Sequence, residues 1–277
     1  MELVIADRLA TLGHAPRLAV YRLLMRRWPD EVPAGHIADA LDLRPNTASV
    51  YLSALLRAGL VVQRRDGTRL LYKVNMETAR ALMSALFLDG LRGRADLLPE
   101  LGDRRSLMTE RPYKVLFVCT GNSARSIFAE TLLRDLAGDR FEAFSAGTAA
   151  RSDLNPIAVE MLEQKGHATG GLRAKSTSVY QGDDAPRFDF VFTVCDLAAN
   201  EDCPPWPDQP ISGHWSTPDP ARAEGTPAER RLAFQTAYGM LRNRIEAFVA
   251  LPISTLDRAS LQHRIDEIGM MTLEKET

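Results

Sequence analysis

The sequence predicts an α/β protein in two parts: a small helical domain that ends in a β-hairpin, then a parallel-sheet domain. Three observations point there. Residues 7–58 carry apolar side chains at helical spacing in short successive runs. Residues 60–74 read as two strands around Asp66-Gly67, a dipeptide suited to a tight hairpin turn. From Tyr113 onward, short apolar runs alternate with amphipathic helical ones, the order that builds a parallel sheet. A chain of 277 residues that is 45% hydrophobic has apolar surface for more than one core.

The first elements follow in order. Residues 7–27 contain Leu9, Leu12, Leu18, Tyr21, Leu23 and Leu24, interrupted by Gly13 and Pro16, so two helices are expected rather than one. Residues 33–41 form the next helix, with Ile37, Ala38 and Leu41. After a turn at Asp42-Leu-Arg, Pro45 and Asn46 open a helix that runs to about Ala58, with Val50, Leu52, Leu55 and Leu56 facing inward. Gly59 closes it as a glycine beyond a helix C-terminus does. Helix, turn, helix and hairpin together make a winged helix-turn-helix, whose second helix of the pair enters a DNA major groove. Pro45, Asn46, Thr47, Ser49 and Tyr51 lie on the early polar side of that helix. Arg64, Arg65 and Arg69 flank the wing tip, where cations suit phosphate or the minor groove. The competing reading is a winged helix used only to bind protein.

Charge divides the same way. Residues 1–95 hold 14 Lys/Arg against 9 Asp/Glu, and residues 96–277 hold 20 against 27. A basic first third suits a polyanion partner. No run of about 18 apolar residues occurs and no secretory signal is visible, so a cytoplasmic protein without a membrane span is expected. Three cysteines, all beyond residue 118, suit a reducing compartment and thiols kept for chemistry. The sequence offers no metal-ligand set. Residues 89–111, charged and containing Gly90, Gly93, Pro99 and Gly102, read as a linker. The predicted organisation is thus a DNA-binding domain at 1–88, that linker, an α/β domain at 112–251 and a helical tail at 252–277.

In the α/β domain, strands are expected at 114–118, 142–145, 189–194 and 211–214, and helices at 126–137, 156–165 and 227–249. Ligands of such sheets bind at the carboxyl ends of the strands. Cys119 ends the first strand, in Cys119-Thr-Gly-Asn-Ser-Ala-Arg125-Ser126, and the loop opens a helix. Amide groups at a helix N-terminus favour an anion, and the same field lowers a thiol pKa, which predicts a thiolate near neutral pH. Thr120, Gly121, Asn122, Ser123, Ala124, Arg125 and Ser126 therefore form an oxyanion cradle, with the Arg125 fork matched to a tetrahedral anion. Cys195 follows the third strand and Cys203 comes eight positions later. They are either inert or a redox relay, since thiol–disulfide exchange needs a thiolate poised near the next sulfur.

The Cys119–Ser126 stretch and Phe144-Ser-Ala-Gly-Thr148 resemble segments of the low-molecular-weight tyrosine phosphatase superfamily, which includes a branch of arsenate reductases. The resemblance covers about 112–251. It implies a parallel-sheet α/β domain of low-molecular-weight phosphatase type. It also implies Cys119 as nucleophile, Arg125 as anion ligand and Asp219, in Asp219-Pro220, as general acid; a plain Asp-Pro turn is the alternative. For a reductase it further implies Cys195 and Cys203 as the relay, no bound cofactor, and an external reductant: thioredoxin, glutaredoxin with glutathione, or mycothiol. Arsenate is the expected substrate. The alternatives are a phosphotyrosine phosphatase, and a regulator that senses an oxyanion or redox state without turnover. The first third resembles the ArsR/SmtB family of repressors, through residues 9–19, 37–41 and 55–60. That resemblance implies operator DNA as partner and a homodimer built on the first helix and the helix after the wing. Residues 1–118 contain no cysteine, so the thiolate cluster of arsenite-sensing members is absent.

Overall fold

The computed structural model describes residues 2–97, 111–182, 184–201, 206 and 209–271. Two compact units, Met1–Leu101 and Gly102–Thr277, divide the chain.

The first unit begins with α1 (Glu2–Leu12) and α2 (Ala15–Arg26), parted at Gly13-His14 with Pro16 in the opening turn of α2. Pro is tolerated there because the first helical N–H groups lack intrahelical acceptors. The strand β1 (Val32–Pro33), then α3 (Ala34–Ala40) and α4 (Pro45–Arg57), follow. Asp42, at φ 50°, makes the left-handed turn between the last two. Gly59 at φ 70° ends α4, and the Leu60 amide returns to Leu55 O at 3.0 Å. Next come β2 (Val61–Asp66) and β3 (Arg69–Val74), antiparallel and joined by Gly67-Thr68, with Gly67 at φ 59°. Strand order is β1-β3-β2. The last regular helix, α5 (Met76–Ala85), is capped by the Asn75 side chain. Val20, Leu23, Leu24, Ile37, Leu52, Leu55 and Leu60 form the centre of this unit's core.

Two inward assignments on α4 are overturned. Val50 is 63% exposed and Leu56 37% exposed, whereas Ala48, Leu52 and Leu55 are buried. The buried set sits at i, i+4 and i+7, so Val50, about 200° around the helix from Ala48, faces outward. The first helix also starts earlier than expected, at Glu2.

The second unit contains β4 (Tyr113–Cys119), α6 (Arg125–Ala137), β5 (Phe141–Gly147), α7 (Pro156–Gln164), β6 (Phe190–Thr193), α8 (Asp196–Asn200), β7 (Ile211–His214), α9 (Pro227–Val249) and α10 (Arg258–Gly269). Its sheet is parallel throughout, in the order β5-β4-β6-β7. This is the parallel-sheet α/β fold expected. Five consecutive residues of β4, Val115–Cys119, are buried, which is why that strand is an unbroken apolar run. Trp215 stacks on Phe192 with centroids 4.1 Å apart, and Phe248 of α9 meets both rings edge-on. Each such side chain contributes roughly 1.5–3 kcal/mol by leaving water. The predicted tail helix packs on this unit: Leu261, Ile265 and Ile268 of α10 join its core, and a Cβ at Gly213 would lie 2.7 Å from Ile265. Among the described residues, no helix is long and apolar enough to cross a membrane.

Candidate active site

Strand order decides what meets at the carboxyl edge. The chain leaves β4 toward β5 on one side and resumes with β6 on the other, so a crevice opens between β4 and β6. Val118 pairs with Thr193. Continuing that register by two residues sets Thr120 beside Cys195, and Thr120 Oγ1 lies 3.4 Å from Cys195 Sγ. Both thiols are free and buried. Cys203 lies outside the described residues.

The loop after Cys119 is held by its carbonyls. Cys119 O, Thr120 O, Gly121 O and Ser123 O accept from the amides of Thr148, Ala149, Arg151 and Asn155 at 2.9–3.0 Å. Its own amides are left for other work. Asn122 N donates to Cys119 Sγ at 3.2 Å, and the N–H groups of Gly121, Ser123 and Ala124 have no acceptor among the described residues. With α6 starting at Arg125, these donors cluster at a helix N-terminus, an arrangement that can hold an anion. Asn122 adopts φ 45°, a left-handed conformation that Asn tolerates better than most residues. Its fully buried side chain donates to Ser126 Oγ and Ser145 Oγ, both at 2.8 Å, and accepts from Lys175 N at 2.7 Å. Ser126 Oγ is also 2.9 Å from Cys119 Sγ.

Arg125 reaches across to the loop after β7. Its two terminal nitrogens meet Thr217 O at 3.1 Å and Asp219 Oδ2 at 3.0 Å. The sequence-predicted nucleophile, arginine and acid are therefore together, with Cys195 adjoining. One expectation meets an opposing effect. Burial pushes the Cys119 thiol up, and the neighbouring Cys195 adds to that; hydrogen bonds from Ser126 and the charge of Arg125 oppose it without prevailing. The physical reason is that Cys119 is 2% exposed while the arginine's charge is shared with Asp219. Burial at this loop therefore works against the thiolate that the sequence predicts.

Residues 114–259 match the family of low molecular weight phosphotyrosine protein phosphatases. The chain belongs to that family. Among similar proteins, an arsenate reductase of Bacillus subtilis (strain 168) is 35% identical over 134 residues, 48% of this chain and 93% of that protein. An arsenate reductase of Shouchella clausii is 37% identical over 134 residues, again 48% and 93% of the two chains. A glutaredoxin arsenate reductase of Synechocystis is 31% identical over 137 residues, 50% of this chain and 96% of that protein.

Sequence reasoning missed several residues around this loop. Glu130 accepts from Ser145 Oγ and from Lys175 Nζ at 3.0 Å, so an ion pair supports the side chains that hold Asn122. Glu130 and Lys175 are 45 residues apart and carry no local signal. Gly147 is required by space: a Cβ there would lie 2.6 Å from Thr120 O and 2.9 Å from Asn122 N. Its position at the end of a strand in Ser-Ala-Gly was the available clue. Thr217 was missed because it contributes a backbone carbonyl, which any residue has. His214, left at the sequence level as packing, is buried with Nδ1 2.8 Å from Thr193 Oγ1 and Nε2 3.4 Å from Asp196 Oδ1.

In the first unit, Pro45, Asn46 and Ser49 are exposed at the start of α4, while Thr47 and Tyr51 are half-buried. The Tyr51 ring lies 5.4 Å from that of His14. Arg65 and Arg69 are exposed beside the hairpin turn. Arg64 is not solely a surface cation: its Nε lies 2.6 Å from Glu31 Oε2, and Lys73 pairs with the same carboxylate at 3.2 Å. Burial pushes Glu31 up, but its hydrogen bonds to Arg64 and Lys73 and their charges outweigh that and hold the carboxyl below its usual range.

Proposed function

We propose that this protein is an arsenate reductase of the phosphatase family, joined to a winged-helix DNA-binding unit of ArsR/SmtB type. The observation that carries the first half is Cys195. A phosphatase needs one thiol, one arginine and one acid; here a second buried thiol sits 3.4 Å from the first cradle residue, Thr120. The similarity to arsenate reductases across nearly their whole length supports the same reading.

Arsenate enters the loop amides and the Arg125 fork, displacing the Asp219 carboxylate from the arginine. Cys119 loses its proton as it attacks arsenic, and Asp219 delivers that proton equivalent to the departing oxygen, which leaves as water. A Cys119–arsenic bond has replaced an arsenic–oxygen bond, with no change of oxidation state. The Cys195 thiolate then attacks Cys119 Sγ. The sulfur–arsenic pair passes to arsenic, arsenite leaves, and a Cys119–Cys195 disulfide remains. Cys203 attacks Cys195, freeing Cys119 and forming a Cys195–Cys203 disulfide. An external thiol system supplies the two electrons that reopen it. No prosthetic group is required.

The test is arsenate-dependent thiol consumption with thioredoxin, glutaredoxin plus glutathione, and mycothiol supplied in turn, beside Cys119→Ser. Turnover abolished by that substitution is expected. Aryl-phosphate hydrolysis with no arsenite from any donor would establish a phosphatase, and silence in both would favour a sensor.

For the first unit, the reading is operator binding as a homodimer, with Asn46, Thr47 and Ser49 toward base edges and phosphates and Arg65 and Arg69 on the backbone. Exposed Leu3, Val4 and Leu9 on α1, and Met83 on α5, are the apolar surface that a dimer would cover. Arg69→Ala is expected to weaken DNA binding and lower the salt-dependence slope by about one. An unchanged slope would remove Arg69 from the interface.

A further inference from the structure

We propose that Arg244, on α9, is a positioning residue for the active site, and that α10 holds it in that role. The inference rests on Cys119, Arg125 and Asp219 acting on an oxyanion, as proposed above.

Arg244 is 4% exposed, an unusual setting for a guanidinium. Its Nη1 donates to Ser216 O at 2.7 Å and meets Thr217 Oγ1 at 3.3 Å. Its Nη2 donates to Gly269 O at 3.3 Å and Met271 O at 3.1 Å. One side of the planar fork thus grips the segment after β7, and the other grips the end of α10. That segment is the one on which Arg125 depends. Thr217 O receives Arg125 Nη1, and Asp219, two residues on, receives Arg125 Nη2. Thr217 is itself 2% exposed, and its hydroxyl donates to Trp215 O at 3.0 Å. Trp215 Nε1 in turn reaches Ile265 O of α10 at 3.5 Å. Two separate tethers therefore join α10 to the strand end and loop that carry the acid.

A rigid planar fork suits this task because it spans two backbone segments at once, which an ammonium on a flexible stem does not. Buried charge-assisted hydrogen bonds to carbonyls fix where those carbonyls sit. If Arg244 is removed, Ser216 and Thr217 lose their anchor, and the Arg125 fork and Asp219 lose their common reference. A displacement of about 1 Å at such a site lowers rates on the order of 100-fold. The helix α10 begins at residue 258, just as the family match ends at 259, so this clamp joins the family's acid loop to a helix nearly all outside the matched segment.

The test compares wild type, Arg244→Gln and Arg244→Lys as full-length, pre-reduced protein. Two quantities are read: the single-turnover rate of arsenite release against arsenate concentration, and the shielding of Cys119 from iodoacetamide by inorganic phosphate. Arg244→Gln is expected to lower the maximal rate roughly 10- to 100-fold and to weaken phosphate shielding about tenfold. Arg244→Lys, which keeps the cation but bridges only one segment, should recover part of the shielding and little of the rate. Should Arg244→Gln fail to fold, Arg244→Lys carries the test. A folded variant with a lower Tm but wild-type rate and shielding would reduce Arg244 to a packing residue and overturn the proposal. If wild type is shielded by phosphate yet releases no arsenite, the reductase reading fails, and shielding in the variants still decides the role of Arg244.

Discussion

The electrostatics of single residues set how this site can start its chemistry. Burial and the adjacent Cys195 push the Cys119 thiol up from the ordinary thiol range. Alkylation of Cys119 by iodoacetamide should therefore climb with pH and reach half its maximum above about 8.5. Ser126→Ala removes a hydrogen bond that favours the charged form and should move that midpoint higher still. A midpoint below 7 would mean that the helix N-terminus outweighs burial. The same shift has a stability consequence: the raised thiol contributes stability below its unfolded pKa, and that contribution is lost as pH rises through the folded value. Gly147 makes a steric prediction. In Gly147→Ala the new methyl would press on Thr120 O, costing about 1–3 kcal/mol and disordering the cradle. Urea unfolding and arsenite release check both effects, and a fully active, equally stable variant would contradict the crowding.

Contacts between elements carry a second kind of consequence. His167, beyond α7, joins α6 to α9 through Asp135 Oδ2 at 2.5 Å and Tyr238 Oη at 2.7 Å. Burial pushes the Asp135 carboxyl up, but His167 and Arg134 prevail and hold it below its usual range. A depressed carboxylate contributes stability above its unfolded pKa of about 3.9 and loses it as pH falls through the folded value. Asp135→Asn should cost less than about 1 kcal/mol at pH 6, given its partial exposure, and progressively less at an acid pH below about 3.9. Urea midpoints at the two pH values measure this, and an equal loss at both would point to packing instead. Elements were also where the sequence was most legible. Apolar runs and Gly or Pro punctuation located the strands and long helices because those signals are local. The five-residue α8 was not foreseen, since a single turn leaves no periodicity. Val50 was misassigned because a run of apolar residues on α4 does not say which of them the core takes.

At the scale of the whole molecule, two compact units separate a basic segment from an acidic one that carries every cysteine. The Cys119 loop was readable because its residues are contiguous from Cys119 to Ser126. Its supports were not, because Ser145, Lys175, Thr217 and Arg244 are brought to it only by the fold. The strand order β5-β4-β6-β7 is what turns Cys119 and Cys195, 76 positions apart, into neighbours across one crevice. Their partnership is the centre of the account, and one measurement addresses it directly. Reduced full-length Cys203→Ser protein, given arsenate without any electron donor, should release one arsenite per chain. Peptide mapping under non-reducing conditions should then find a Cys119–Cys195 disulfide. Arsenite release without that disulfide, or no arsenite at all from a protein that hydrolyses aryl phosphate, would contradict the relay.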